Sequence, residues 1–186
     1  TRSLRVQACR LATLPDTAFQ ALGALDRIHS DPMQGALNIA IRAARAAGNI
    51  MVRYFDRLDS VKVTAKGAND FVTEVDRMCE ATVIDTIRKS FPEHAFLAEE
   101  SGHHAGNDHQ WIIDPLDGTL NFLHGFPHFA VSIALAVRGK TEEGVIYDPM
   151  RQELFVATRG GAARLDDKRI RTSSRSGLKG ALLGTG

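Results

Sequence analysis

Cysteine is nearly absent from this chain. Cys9 and Cys79 are the only two, they lie in unrelated contexts, and neither belongs to a C-x-x-C pair. Two such residues cannot build a disulfide framework, so both read as ordinary thiols in a reducing, cytoplasmic setting. Long apolar runs are missing as well. No segment approaches the ~20 residues of a membrane span. The arginines at Arg2, Arg5 and Arg10 are not followed by an apolar stretch, so the start does not read as a secretory signal. Charge of one sign is also lacking. The net charge is +1 with both signs interspersed, which argues against a nucleic-acid face or a polybasic membrane patch. There are no internal repeats or low-complexity tracts, and tryptophan occurs once, at Trp111.

What is present is apolar material for a core, 44% of 186 residues, enough for one large domain or one domain and part of another. Residues 1–32 differ from the rest. They show no sustained period and end at Asp31-Pro32, immediately before Met33. They read as upstream or added sequence ahead of a natural start at Met33, the alternative being a short helical arm over 17–28.

From Gln34 to Phe55 apolar residues recur at helical steps, with alanines that permit close packing. Residues 61–65 alternate as a strand, and 66–70 form a turn. A second helix starts near Thr73, with Asp76 three residues on as the acidic partner of a capping box, and Phe91-Pro92 stops it. Strands are expected at 95–98, 111–114, 129–137, 143–147 and 153–158, with a polar loop over 103–110 and a hairpin turn at Gly160-Gly161. Two helices followed by several strands imply an α+β arrangement, helices packed on a largely antiparallel sheet.

The chemistry concentrates where a strand runs into Asp114-Pro115-Leu116-Asp117-Gly118-Thr119. Pro115 keeps Asp114 extended and turns the chain, so that Asp117 can return beside Asp114. Gly118 lets the backbone approach a ligand closely. Thr119 to Phe122 reads as the first turn of a short helix, whose N–H groups suit an anion. Glu99 also ends a strand, and if the two strands are neighbours it completes a trio of carboxylates. Oxygen ligands of this kind select magnesium or manganese over zinc, and clustered carboxylates can hold two ions ~3.5–4 Å apart, as many phosphatases do. The competing reading, aspartates that merely cap a turn, leaves Glu99 unexplained.

Other candidates carry less. His103, His104 and His109, with Asp108, match no common zinc spacing and read as a solvated loop. His124 and His128 pack or line a loop around Pro127. No serine or cysteine nucleophile shows a companion base. Lys168, Arg169, Arg171 and Arg175 read as a solvated edge.

Leu97-Ala98-Glu99-Glu100-Ser101, the stretch from Trp111 to Thr119, and Asn121-Phe122 together resemble the signature of the inositol monophosphatase family. Asn69 to Asp76 and Phe126 to Ala134 resemble its flanking blocks. The similarity runs from about Met33 to the end and is closest to bacterial inositol-1-monophosphatases of the extragenic-suppressor type.

The resemblance implies an αβαβα sandwich of the sugar-phosphatase type, with residues 33–176 as its N-terminal unit and 177–186 as the start of a C-terminal one. It implies a Mg2+-dependent phosphatase that releases phosphate from myo-inositol monophosphate by in-line attack of metal-activated water. Glu99, Asp114, Asp117 and the Leu116 carbonyl would hold two or three Mg2+ ions, with Mn2+ as a substitute. Gly118 and Thr119 would donate backbone N–H groups to the phosphate. Asp70 would accept from the Thr119 hydroxyl, the pair orienting water near Glu99. Lithium sensitivity and a homodimer are also implied, as is an association with transcription antitermination through an RNA-polymerase-associated partner.

Two departures stand out. Leu120 replaces a second threonine, for which modest effects are expected. A later tryptophan-aspartate motif that supplies another metal-binding aspartate is not in the chain, and the final run Ala181-Leu182-Leu183 reads as a strand at the start of a second layer. On that reading a chain of this length is either incomplete as an enzyme or inactive alone, and much of the choice among inositol, sugar and nucleotide phosphates would be made elsewhere.

Overall fold

The computed structural model describes residues 32–67 and 70–182. The N-terminal arm and Cys9 lie outside them. Helix α1 spans Pro32–Phe55, and a short 3-10 turn, Leu58–Ser60, leads to a two-stranded hairpin of β1 (Val63–Gly67) and β2 (Asp70–Thr73). Helix α2 follows at Glu74–Arg88. Then come β3 (Ala95–Ala98), β4 (Gly102–His104) and β5 (His109–Asp117), a five-residue helix α3 (Thr119–Leu123), and a meander of β6 (Ala130–Val137), β7 (Lys140–Asp148) and β8 (Glu153–Thr158). Short strands β9 (Arg164–Leu165) and β10 (Lys168–Arg169) complete an eight-stranded sheet of order β10-β9-β8-β7-β6-β5-β3-β4. Every pairing in it is antiparallel except β3 with β5. None of the helices described is long and apolar enough to cross a membrane.

The helices and the sheet meet for the reason the sequence period suggests. The stripe Ala36, Ala40, Ala43, Ala44, Ala47 and Met51 on α1, and Val75, Cys79, Val83 and Ile87 on α2, are buried against Trp111, Ile113, Ile133, Leu135 and Val145 of the sheet. The described residues thus form one helical layer on one mostly antiparallel sheet. Buried Trp111 donates its indole N–H to His94 Nδ1 at 3.0 Å, so its one polar atom is satisfied. Burial, and then the neighbouring His109, hold the His94 imidazole below its ordinary pKa. Cys79 is a core thiol, pushed up to about 12 by burial and then by Asp76, and unsuited to nucleophilic work.

Contact between α1 and the sheet is close enough to need a glycine. A Cβ on Gly48 would stand 2.6 Å from Tyr147 Cε1 and 3.1 Å from Pro149 Cβ. Gly48→Ala should therefore destabilise the protein. Overpacking costs roughly 1–3 kcal/mol, against a gain of about 1 kcal/mol in helix propensity. The expected outcome is a lower urea midpoint at unchanged m-value, and a raised midpoint would contradict this packing.

Two local expectations need correction, and a third holds. His103 and His104 belong to β4, not to a loop, because the tight turn over residues 99–101 folds the chain back onto β3, pairing Leu97 with His103. The remaining loop covers 105–108 only. Ala181 and Leu182 form no strand: none of the described strands pairs with them and Leu182 is fully exposed, while Leu183 lies outside the described residues. Lys168, Arg169, Arg171 and Arg175 are exposed at the β9–β10 end, as a solvated edge should be.

Candidate active site

The site forms where β3 and β5 end side by side. Their parallel register pairs Ala98 with Ile113, and the ladder continues as the Glu99 N–H donates to the Ile113 carbonyl at 3.2 Å. Glu99 is thereby carried beside Asp114. In a regular strand, residues 114 and 117 would face opposite sides. Here Asp114 pairs with Ser132 and Asp117 with Ala130, so β5 holds one residue more than β6 over this interval. That bulge shifts the alternation: Trp111, Ile113 and Pro115 are buried, and then so is Leu116. Asp117 is returned to the side of Asp114.

The electrostatics record the crowding. The Asp114 carboxyl is pushed up to about 8, first by burial and then by the charges of Glu99 and Asp117. A hydrogen bond with Glu99 also raises it, while the Leu116 N–H opposes the shift. Among the described residues, Asp114 Oδ1 is buried with no hydrogen-bond partner. Such an atom costs free energy unless something fills its lone pairs. The side chains of Glu99 and Asp114 are within hydrogen-bonding reach of each other, and no three Asp, Glu, His or Cys side chains among the described residues stand in ready ligating geometry. A hard divalent cation fits this donor set. It would take the place of the Asp114 proton, occupy the orphaned oxygen and relieve the repulsion among the three carboxylates.

Beside the carboxylates, Gly118 begins α3 with φ at +99°, a left-handed conformation that side chains resist. A Cβ there would also come within 3.0 Å of the His128 carbonyl. The Thr119 hydroxyl, which has one proton, lies 3.1 Å from Asp76 Oδ1 and 3.0 Å from the Leu116 carbonyl. The side chain of Asp70, expected as the partner of Thr119, lies outside the described residues; its backbone belongs to β2. Leu120, in place of a threonine, is exposed.

Asp76 was expected only as a helix cap. It is that: Thr73 Oγ1 accepts from the N–H groups of Val75 and Asp76, and Asp76 Oδ2 accepts from the Thr73 N–H at 2.8 Å and hydroxyl at 2.5 Å. Its other oxygen reaches Thr119, so one buried carboxylate joins the start of α2 to the start of α3. Burial raises the Asp76 carboxyl, and the bonds from Thr73 and Thr119 oppose the rise. Glu80 was missed altogether. It is buried on α2 and accepts the N–H groups of Glu100 at 2.7 Å and Ser101 at 2.9 Å. Helical periodicity could have found it, because Glu80 lies one turn after Asp76 on the stripe that carries Val83, Ile84 and Ile87.

His124 and His128 lie at the surface. His124 Nδ1 is 2.8 Å from the Leu120 carbonyl, and exposed His128 contacts Arg151 at 2.9 Å. Contrary to expectation, one serine does have a histidine neighbour: Ser101 Oγ is 2.7 Å from His104 Nε2. The β3–β4 turn places them there, both on the surface, and none of the described hydrogen bonds joins a carboxylate to His104 to orient it as a base.

Residues 33–186 match the inositol monophosphatase family. Proteins named Nus factor SuhB from Salmonella typhimurium and Escherichia coli are each 54% identical over 156 residues, covering 83% of this chain and 58% of theirs. The crystal structure of extragenic suppressor protein suhB from Bartonella henselae is similar with a TM-score of 0.74 and 45% identity, over 76% of this chain and 55% of that one. Thermotoga maritima IMPase gives 0.70 and 37% over 76% and 55% of the two chains. The chain spans a little over half the length of the curated relatives it matches. Its carboxylate trio, bulged strand and signature residues lie within the matched span, and the chain belongs to the inositol monophosphatase family.

Proposed function

We propose that the protein is a Mg2+-dependent phosphomonoesterase acting on myo-inositol monophosphate, with Glu99, Asp114, Asp117 and the Leu116 carbonyl holding the cations. The observation that carries this reading is the buried, unpartnered Asp114 Oδ1 among carboxylates that crowd it. When bound, the cation supplies charge neutralisation at phosphoryl oxygens and acidifies water. The chain supplies the rest. The N–H groups of Gly118 and Thr119, at the first turn of α3, have no acceptor within the helix and would take phosphate oxygens. Thr119, with Asp70 as the family implies and with Asp76 as the contact described here, would orient the attacking water toward the phosphorus. Glu99 would accept that water's proton.

The test is phosphate release from inositol-1-phosphate with and without Mg2+, measured for this chain and for one of the relatives' full length. Activity is expected from the longer chain. Its absence there would sink the enzymatic reading, and equal activity in the short chain would sink the idea that the remaining length supplies ligands or substrate contacts. Lithium sensitivity, homodimerisation and a cytoplasmic setting belong to the same proposal.

A second reading is favoured by the relatives' name, Nus factor, at 54% identity: association with a transcription partner. Asp117→Asn separates the two roles if it abolishes phosphate release and leaves co-purification with RNA polymerase intact.

A further inference from the structure

We propose that Glu80 is a positioning residue for the cation site: by holding the turn over residues 99–101 it aims the Glu99 carboxylate at Asp114. The inference rests on the cation-site reading above.

Glu80 stands out on its own helix. Apart from Asp76 one turn earlier, its neighbours on the buried stripe of α2, Cys79, Val83, Ile84 and Ile87, are apolar, and Glu80 is 3% exposed. Burying a carboxylate is costly unless hydrogen bonds compensate, and an apolar residue would fill the space with less penalty. What Glu80 does that an apolar residue could not is grip a turn with both oxygens. Oε2 takes the N–H of Glu100 at 2.7 Å and Oε1 that of Ser101 at 2.9 Å. The preceding N–H, of Glu99 itself, is held by the Ile113 carbonyl at 3.2 Å. Three successive amides are therefore fixed, one by the strand that carries Asp114 and two by α2. The backbone that carries Glu99 is thereby held beside Asp114.

The arrangement repeats one turn earlier on the same helix, where buried Asp76 holds Thr119. Helix α2 thus braces both edges of the site through two carboxylates four residues apart, Glu80 on the side of Glu99 and Asp76 on the side of the α3 start. Groups that orient a ligand without touching the metal commonly account for about 10- to 100-fold in metal affinity.

The test is a Mn2+ titration by calorimetry on chelator-treated protein, at a temperature where circular dichroism shows each variant folded. Glu80→Gln keeps the size but leaves one acceptor oxygen for two N–H groups. Its Mn2+ affinity should fall by about tenfold or more. Glu80→Asp keeps both oxygens on a shorter stem and should fall between wild type and Gln. Asp114→Asn should lose binding altogether. Wild-type affinity in both Glu80 variants, with binding lost in Asp114→Asn, would overturn the positioning role and leave the cation site standing. Unchanged binding in Asp114→Asn, or none in the wild type, would instead remove the cation-site reading itself. Failure of both Glu80 variants to melt cooperatively would make Glu80 a folding element, and that too overturns the inference.

Discussion

Replacing Asp114 with asparagine should raise the melting temperature of the metal-free protein and remove its response to magnesium. The two effects have one cause. Asp114 is buried, crowded by Glu99 and Asp117, and left with an unpartnered Oδ1. Without a cation these are liabilities, and removing one partner of a like-charged group relieves them. The asparagine amide can also donate to a neighbouring carboxylate. A gain of about 1 kcal/mol would raise Tm by roughly 2–4 °C in a protein of this size. With Mg2+ the sign reverses, because the wild type gains stability from binding and the variant has lost a ligand. In a chain of the relatives' full length, phosphate release should fall on the order of a thousandfold, since cation-based charge stabilisation is worth several kcal/mol and each ~1.4 kcal/mol is tenfold in rate. Differential scanning calorimetry with chelator and with Mg2+ reads both arms. A variant less stable than wild type without metal, yet still stabilised by Mg2+, would contradict the assignment.

The metal-free protein should also lose stability as pH rises from about 4 toward about 8. Asp114 releases its proton near 8 in the folded chain and near its ordinary 3.8 in the unfolded one. Between these values the folded state holds a proton that the unfolded state has given up, so each step upward in pH favours unfolding, by at most about 1.4 kcal/mol per unit for one group. The contribution is fully present below about 4 and gone above about 8. Asp76, raised by burial, acts in the same direction. Because the cation and the proton compete for one oxygen pair, stabilisation by Mg2+ should grow over the same interval. Comparing wild type with Asp114→Asn isolates the effect, since other titrating groups cancel. Parallel Tm–pH curves for the two proteins would refute it.

The legible part of this site was the part encoded locally. Thr73 and Asp76 announce a capping box by spacing alone, and the box is present. Strands at 95–98 and 153–158 have the bounds that their apolar runs suggest. Two acidic residues at the ends of apolar strands suggested neighbouring strands, and β3 does run parallel to β5. What escaped was tertiary. An acid within a helix reads by default as solvent-facing, and only the distant turn that it holds explains why Glu80 is buried. The bond from Thr119 to Asp76 spans 43 residues and depends on how α2 sits against β5. The β3–β4 pairing depends on a turn whose amides are held by that same distant helix, and it creates the contact of Ser101 with His104 that no scan for a nucleophile and its base would find.

The one-residue bulge in β5 has a further consequence, for how strongly the chain is committed to its own fold at this point. Proline is tolerated inside a sheet chiefly at edges and bulges, because it offers no N–H to the ladder. β5 is an interior strand with β3 and β6 on either side, and Pro115 lies where its register with β6 slips. Sequences are otherwise selected so that local preference and global structure agree. Here they disagree by design: the best sheet would run straight through residues 114–117, and it would turn Asp117 toward the helices. The protein carries a spot of local frustration in the middle of its most regular layer, and such departures concentrate at functional positions. Any change that heals the strand, making it a better strand, would unmake the site.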